Sequence, residues 1–353
     1  MFNRRLQKNF QAFASNGIFT SSTTDPDWAS AHGLLPRFFN ALKVKAFYGT
    51  ILDKTRVFMH EWSKRVAAAG PEGALLEHAN DWFACMTADA VVKCAIGLDM
   101  RNVERKGAGE ALHPFIACFR GGIGALLGHA DLKKEMGLSY YNPLASKKDA
   151  LHRIVLRRRE EAEAMVSDMV EKTRRGEIGD ANSVIGAMLN DKAPNTGEYV
   201  RLQAIYGHVI NLMVAGHETT ATTLAWTLYY LSKNPACEAK ALAEIRDVLG
   251  DATEPTADHI PRLPYLEACF REALRLHPAV TAIARDAAAD TLLKGKWLVR
   301  RGQRVNINLV ALQRREDQWG GPFGDPSSFN PERFMPGACE AAGLPPRHPQ
   351  ASH

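Results

Sequence analysis

One segment constrains this chain more than any other. From about Tyr199 to Lys233 the spacing predicts a single very long helix, stopped by Pro235, and its centre, Ile210 to Ala215, is apolar on every side. A helix apolar all round has no face for water, so it belongs through the middle of a large helical body. In that apolar centre lies Ala215-Gly216-His217-Glu218-Thr219-Thr220. Glycine inside a helix costs about 1 kcal/mol relative to alanine, a buried carboxylate is expensive unless paired or used, and threonine can bond the carbonyl one turn back and loosen the helix. The hexapeptide therefore reads as a locally opened helix turning an acid and an alcohol toward a cavity. Ala215 and Gly216 leave room for a flat cofactor and a diatomic ligand, Thr219 can hold water, and Glu218 can relay protons. A polar kink with no ligand is the competing reading. A zinc site fails, because His217-Glu218 would need a second histidine at position 221, which is Ala221.

The rest of the chain fits a helical body. Apolar residues at helical spacing run through 40–70 and 74–98, ending at Gly70 and Gly97. A charged amphipathic helix is expected from Lys147 to Arg175, burying Leu151, Ile154, Val155, Met165, Met169 and Val170. Its Arg157-Arg158-Arg159 run, followed by Glu160, Glu161 and Glu163, reads as a solvated face of intrahelical pairs, with partner docking as the alternative. Asp191 to Gly197 is a loop. Helices follow near Ala236–Leu249 and Leu266–Leu276, the latter ended by Pro278. Between Ala279 and Leu312 come short strand-like runs, Trp297-Leu298-Val299 and Val305-Asn306-Ile307-Asn308-Leu309, split by a turn at Arg301-Gly302. The expected fold is mainly α with a small β region late in the chain, residues 1–336 forming one body and 337–353 an irregular tail.

Within the later helix, Glu272 and Arg275 share a face three residues apart. Their neighbours Leu266, Cys269, Phe270, Leu274 and Leu276 are apolar, and a buried pair needs further partners. Arg333, in Asn330-Pro331-Glu332-Arg333-Phe334, offers a planar fork that can clamp Glu272.

Composition excludes several classes. The net charge of +5, from 44 basic and 39 acidic residues, is too mild to imply nucleic acid. No run approaches the roughly 18 apolar residues of a membrane span, and Met1-Phe2-Asn3-Arg4-Arg5 is not followed by the apolar core of a signal peptide. The six cysteines contain no CxxC pair, which argues against a zinc ribbon and for a reducing, cytoplasmic setting.

The ordered set A-G-x-E-T-T, then E-x-x-R, then P-E-R-F beyond a short sheet resembles the cytochrome P450 family of haem-thiolate monooxygenases, over nearly the whole chain. The resemblance implies haem as cofactor, dioxygen as co-substrate, hydroxylation of a small apolar substrate, and electrons from a redox partner, an NADPH-dependent flavin reductase or a ferredoxin. It implies that Ala215 and Gly216 lie over the haem, that Glu218 and Thr219 deliver protons, and that Glu272, Arg275 and Arg333 brace the core. Trp28 and His32, in Asp27-Trp28-Ala29-Ser30-Ala31-His32, match the family's helix that contacts a haem propionate, and Arg285 matches a second propionate contact. Ordinary packing is the alternative for Trp28 and His32. Gly17-Ile18-Phe19-Thr20 gives a finer resemblance to bacterial fatty-acid hydroxylases whose haem domain is fused to a flavin reductase.

Two departures stand out. Fewer residues precede Trp28 than in the family. No F-x-x-G-x-x-x-C-x-G loop, which carries the thiolate ligand, follows P-E-R-F; Cys339 lacks that frame, and Leu344 to Ala351 resembles only the run into it. Gln313 stands where many members have histidine. The expected fold is thus a P450 fold lacking its N-terminal sheet and helix and its C-terminal haem-cysteine loop. The expected function is a monooxygenase polypeptide inactive as it stands, or a haem-free, catalytically dead one, with no metal ligand.

Overall fold

The computed structural model describes residues 10–22, 24–70, 78–128, 147–179 and 183–343. The Leu344 to Ala351 run, the chain's first nine residues and positions 74–77 of the second expected helix lie outside them. The chain divides into two compact units at the Glu218–Thr219 bond.

The first unit is mainly helical among its described residues. Helix α1 (Pro26–Leu34) starts where Asp25 accepts the Asp27 backbone N–H and Pro26 presets the first turn. Helix α2 (Tyr48–Ala69) ends at Gly70, as its pattern predicts. Helix α3 (Ala79–Ile96) ends at Gly97, whose φ of +84° is left-handed and returns its N–H to the carbonyls of Val92 and Lys93. Helix α4 (Pro114–Leu127) packs along α5 (Lys147–Arg174). The buried stripe of α5 contains Ile154, Val155, Met169 and Val170, with Leu151 and Met165 half-buried against the same core. On its other face Arg158 pairs with Glu161 at 2.7 Å and Arg159 with Glu163 at 2.8 Å, the intrahelical ion pairs expected. Helices α6 (Val184–Asn190) and α7 (Leu202–Gly216) complete this unit. Phe13, Leu34, Phe119, Ile154, Ile185 and Ile205 are fully buried at its centre.

Gly97 sits against a second glycine: a Cβ on it would lie 2.3 Å from the Gly179 Cα. Gly97→Ala therefore meets both a left-handed φ and a backbone collision, which no rotamer change relieves. It should cost more than the roughly 1 kcal/mol of an unfavourable φ alone, read as a fall in the denaturant midpoint; an unchanged midpoint would show that the two segments separate freely.

The second unit begins within α8 (Glu218–Lys233) and continues with α9 (Pro235–Leu249) and α10 (Pro264–Leu276). Glu244 of α9 accepts the N–H groups of Tyr265 and Leu266, serving as a side-chain cap for α10. Strands β1 (Ala282–Asp286) and β4 (Arg304–Asn308) pair antiparallel, from Ala282↔Asn308 to Asp286↔Arg304. Between them β2 (Thr291–Leu293) and β3 (Trp297–Val299) form a hairpin around Lys294 and Gly295, both at positive φ. The described part of the tail, residues 337–343, has more order than its composition suggests. Ala338–Ala341 makes a turn of helix against the Pro331–Phe334 turn, burying Cys339.

One expectation is corrected. Residues 199–233 do not form one helix. Tyr199 pairs with Lys192 in a β-bridge, Arg201 is extended, and regular helix starts at Leu202. The helix then breaks at His217, where ψ falls to −78°, and resumes as α8.

Candidate active site

The break at His217 is held from outside its own helix. Thr87 of α3 donates to the His217 carbonyl at 3.0 Å, while lying within reach of the Phe83 and Ala84 carbonyls of its own turn. The imidazole is 1% exposed and edges onto the Phe119 ring, centroids 5.8 Å apart. Burial, helped by the charge of Arg120, pushes His217 down to about 4 against a hydrogen bond to the Ala84 backbone. The ring is therefore neutral near pH 7, so its 3.8 Å approach to Glu218 is not an ion pair.

Gly216 has a defined packing reason. A Cβ there would lie 2.7 Å from a methyl of Val91, so the glycine lets α7 close onto α3. The room expected above both small residues is, at Gly216, filled by Val91. Ala215 is exposed. Glu218 follows with its side chain 44% exposed. Burial raises its carboxyl above the ordinary range, with Arg120 pulling it down and Asp81 adding to the rise. Arg120 and Asp81 pair at 2.6 Å, and Arg120 thus spends part of its charge on Asp81. A carboxyl raised this way and still open to solvent is placed to exchange a proton with water. Thr219 stands next in the first turn of α8, where its carbonyl accepts the Thr223 hydroxyl at 2.8 Å.

On α1, Trp28 and His32 stack face to face with centroids 4.4 Å apart. The indole N–H donates to the Ile18 carbonyl at 3.1 Å, and His32 is exposed. Beside them Asp27, buried, takes a two-pronged ion pair from Arg201. Arg285 lies on β1, exposed, its guanidinium donating to the Ala284 carbonyl at 2.9 Å.

In the second unit Glu272, Arg275 and Arg333 are brought together, all at 2% exposure or less. Arg275 grips Glu272 with Nε at 2.7 Å and Nη2 at 2.8 Å, and gives Nη1 to the carbonyls of Gln313 and Pro326, each at 2.7 Å. Its guanidinium lies 5.2 Å over the Trp319 ring. The backbone N–H of Asn330 donates to Glu272 at 2.9 Å. Arg333 behaves differently from the expected clamp. Its Nε lies 3.3 Å from Glu272, an ion pair without hydrogen-bond alignment, while its fork donates to the carbonyls of Trp319, Phe323, Gly324 and Asp325. A turn rich in glycine leaves those carbonyls pointing inward, and a planar cation with five donors satisfies them at once.

Thr87, Val91, Arg120 and Trp319 escaped the sequence reading. Thr87 and Asp89 had a signal: they are polar residues on an otherwise apolar stretch of α3, and both are buried with partners, Asp89 accepting the N–H groups of Asn102 and Val103. Arg120 and Trp319 act from distant positions and had none.

Haem chemistry makes a definite demand on the donor set. Its thiolate ligand needs a cysteine held as an anion. Burial pushes Cys85 and Cys94 up to about 11 and Cys269 up to about 12, raises Cys339 as well, and the Cys118 thiol donates to the Arg158 carbonyl. Burial thus favours the neutral thiol over the thiolate at Cys85, Cys94, Cys269 and Cys339, the opposite of what the ligand role asks. Among the described residues no group of three His, Cys, Asp or Glu side chains could hold a metal ion.

The sequence profile of the cytochrome P450 family matches residues 2–347. The chain is 31% identical over 329 residues to the self-sufficient cytochrome P450 monooxygenase CYP505AG1 of Oidiodendron maius, covering 93% of this chain and 28% of that protein. It is 27% identical over 326 residues to the bifunctional cytochrome P450/NADPH--P450 reductase of Bacillus cereus, covering 92% and 28%. The crystal structure of the cytochrome P450DA heme domain superposes with a TM-score of 0.81 at 25% identity, covering 98% of this chain and 68% of that one. The chain belongs to the cytochrome P450 family. It spans little more than a quarter of the length of the curated relatives it matches. No helix among the described residues is long and apolar enough to cross a membrane.

Proposed function

We propose that this chain forms the dioxygen-facing scaffold and proton-delivery segment of a P450 monooxygenase acting on a small apolar substrate, a fatty acid in the finer reading. The observation that carries it is the helix opened at His217 and pinned by Thr87, which sets a raised, half-exposed Glu218 and Thr219 beside the exposed Ala215. Haem, when bound, supplies dioxygen binding and activation. The chain's own residues do the rest. Ala215 gives a flat, small surface, Glu218 takes protons from solvent, and the Thr219 hydroxyl orders water for their onward passage. Trp28, His32 and Arg285 are the proposed propionate contacts, charge-assisted in the case of Arg285. Electrons come from an NADPH-dependent flavin reductase, the kind of partner named in the bifunctional relative, and a cytoplasmic setting suits it. Burial favours the neutral thiol at Cys85, Cys94, Cys269 and Cys339, in keeping with the proposal that the chain taken alone does not turn over.

Titrating the full chain with haemin tests this. We expect saturable quenching of tryptophan fluorescence, lost in Ala215→Phe, and, after reduction and addition of carbon monoxide, no red-shifted Soret band of thiolate-ligated haem. Absence of saturable binding would replace this reading with a haem-free chain. A thiolate-type band would make one of the cysteines a ligand.

A further inference from the structure

The second unit holds an aromatic cluster with a different chemistry. At the end of α8 the Tyr230 hydroxyl lies 2.8 Å from Nδ1 of His277, which closes α10 just before Pro278. The His277 ring is stacked on Trp226 with centroids 3.6 Å apart and planes within 8°. On its other side Tyr230 stacks on Phe329, centroids 4.8 Å apart and planes 2° apart. Tyr229 touches both Trp226 and Tyr230, at 5.3 and 5.5 Å, and is 49% exposed.

A phenol that loses an electron becomes a strong acid, so tyrosine is readily oxidised only where a base already accepts its hydrogen bond. The geometry supplies that base at contact distance. Among the described residues the imidazole nitrogen is the side-chain partner of the Tyr230 hydroxyl, and in the tautomer that carries its proton on Nε2 the phenol donates and Nδ1 accepts. Burial and the charge of Arg314 hold His277 below its usual range, which keeps the ring neutral and able to receive the proton. The other charged and titratable groups felt by Tyr230 are Arg314, Tyr229, Arg275 and Glu272. Arg275 is gripped by Glu272, and Arg314 donates to the Leu276 carbonyl, so these three charged groups are engaged elsewhere.

We infer that Tyr230 and His277 form a redox-active pair. Tyr230 gives one electron to a strong one-electron oxidant while its hydroxyl proton passes to His277 Nδ1, and Trp226 and the exposed Tyr229 relay the oxidising equivalent between surface and pair. The O–H bond of the phenol breaks and an N–H bond on imidazole forms. The products are a neutral phenoxyl radical and an imidazolium, and the oxidant is reduced by one electron. An electron returned by a soluble thiolate, which leaves as a thiyl radical, with the proton coming back from Nδ1, restores the pair. This makes the cluster a sink for one-electron oxidants, and it holds whether or not the chain binds haem.

The test uses the full chain without haem and, as oxidant, tris(bipyridine)ruthenium(III) generated by a laser flash from the ruthenium(II) complex and a sacrificial electron acceptor, with the phenoxyl radical followed by transient absorption and electron paramagnetic resonance. Tyr230→Phe should remove the longest-lived radical. His277→Gln keeps a hydrogen-bond acceptor but not a base, and should slow formation of that radical on the order of a hundredfold, the lower end of what a positioned base contributes. The parent chain should also show a slower reaction in deuterium oxide and an exchangeable deuterium coupled to the radical, measurements that need no variant. An unchanged radical in Tyr230→Phe, an undiminished rate in His277→Gln, or no exchangeable deuterium at the radical would each overturn the assignment.

Discussion

Arg275→Ala is expected to lower the unfolding free energy by about 3–5 kcal/mol, the range measured when one partner of a buried ion pair is removed. The structure explains why this position stands at the high end. Arg275 is 2% exposed and Glu272 is fully buried. Removing the guanidinium leaves the Glu272 carboxylate with the Asn330 N–H and a misaligned Arg333, and at the same time orphans the Gln313 and Pro326 carbonyls. Each buried group left without a partner costs its own desolvation, about 1–3 kcal/mol. Arg275→Lys should recover little of this, because an ammonium cannot place two parallel donors on a carboxylate while a third reaches the loop carbonyls. Urea unfolding followed by circular dichroism measures the effect. A loss below about 1 kcal/mol would show that water reaches the network and that it is not the dry cluster described.

The second large effect is loss of stability in mild acid. His208 and His217 are buried, and burial holds both down at about 4. Their ordinary value is 6.5. Between those values the unfolded chain binds two protons that the folded chain refuses, so stability rises with pH across the window and falls as pH drops from about 6.5 toward 4. Below about 4 both states are protonated and this contribution levels off. Each histidine is worth on the order of 3 kcal/mol over the full window, at about 1.4 kcal/mol for each pH unit crossed. Asp89 and Glu218, whose carboxyls are raised, work in the opposite direction over part of it. The difference between the chain and His208→Leu isolates one histidine. Both ring nitrogens of His208 lack a hydrogen-bond partner among the described residues, so leucine should be neutral or stabilising at pH 7 and should flatten the acid slope by up to one proton. Parallel stability–pH curves for the two proteins would mean that His208 is solvated in the folded state.

The residues that were legible in the sequence share one property: their signals are local. Periodic apolar positions marked α2, α5 and α10, glycines marked the ends of α2 and α3, and the three-residue spacing marked Glu272 and Arg275. The continuous helix expected over 199–233 failed for a nonlocal reason. Ala215 to Thr220 announces that something is unusual, but the residue that opens is fixed by Thr87, 130 positions away in sequence. Arg333 lies 3.3 Å from Glu272, yet its fork serves a loop whose carbonyl directions no local pattern encodes. The packing of Gly216 on Val91 is likewise invisible until two helices meet.

The contact between Gly97 and Gly179 has a genetic consequence. Each position is left-handed, so each carries its own conformational cost on substitution, and those costs add. The steric cost is shared, because both side chains would press on the same gap between the two segments. Once the first substitution has pushed the segments apart, the second finds the room already made. The two sites should therefore be epistatic, the double alanine variant losing less stability than the sum of the singles. A lineage that has lost one glycine is then under weaker selection to keep the other, so the two should be kept together or lost together.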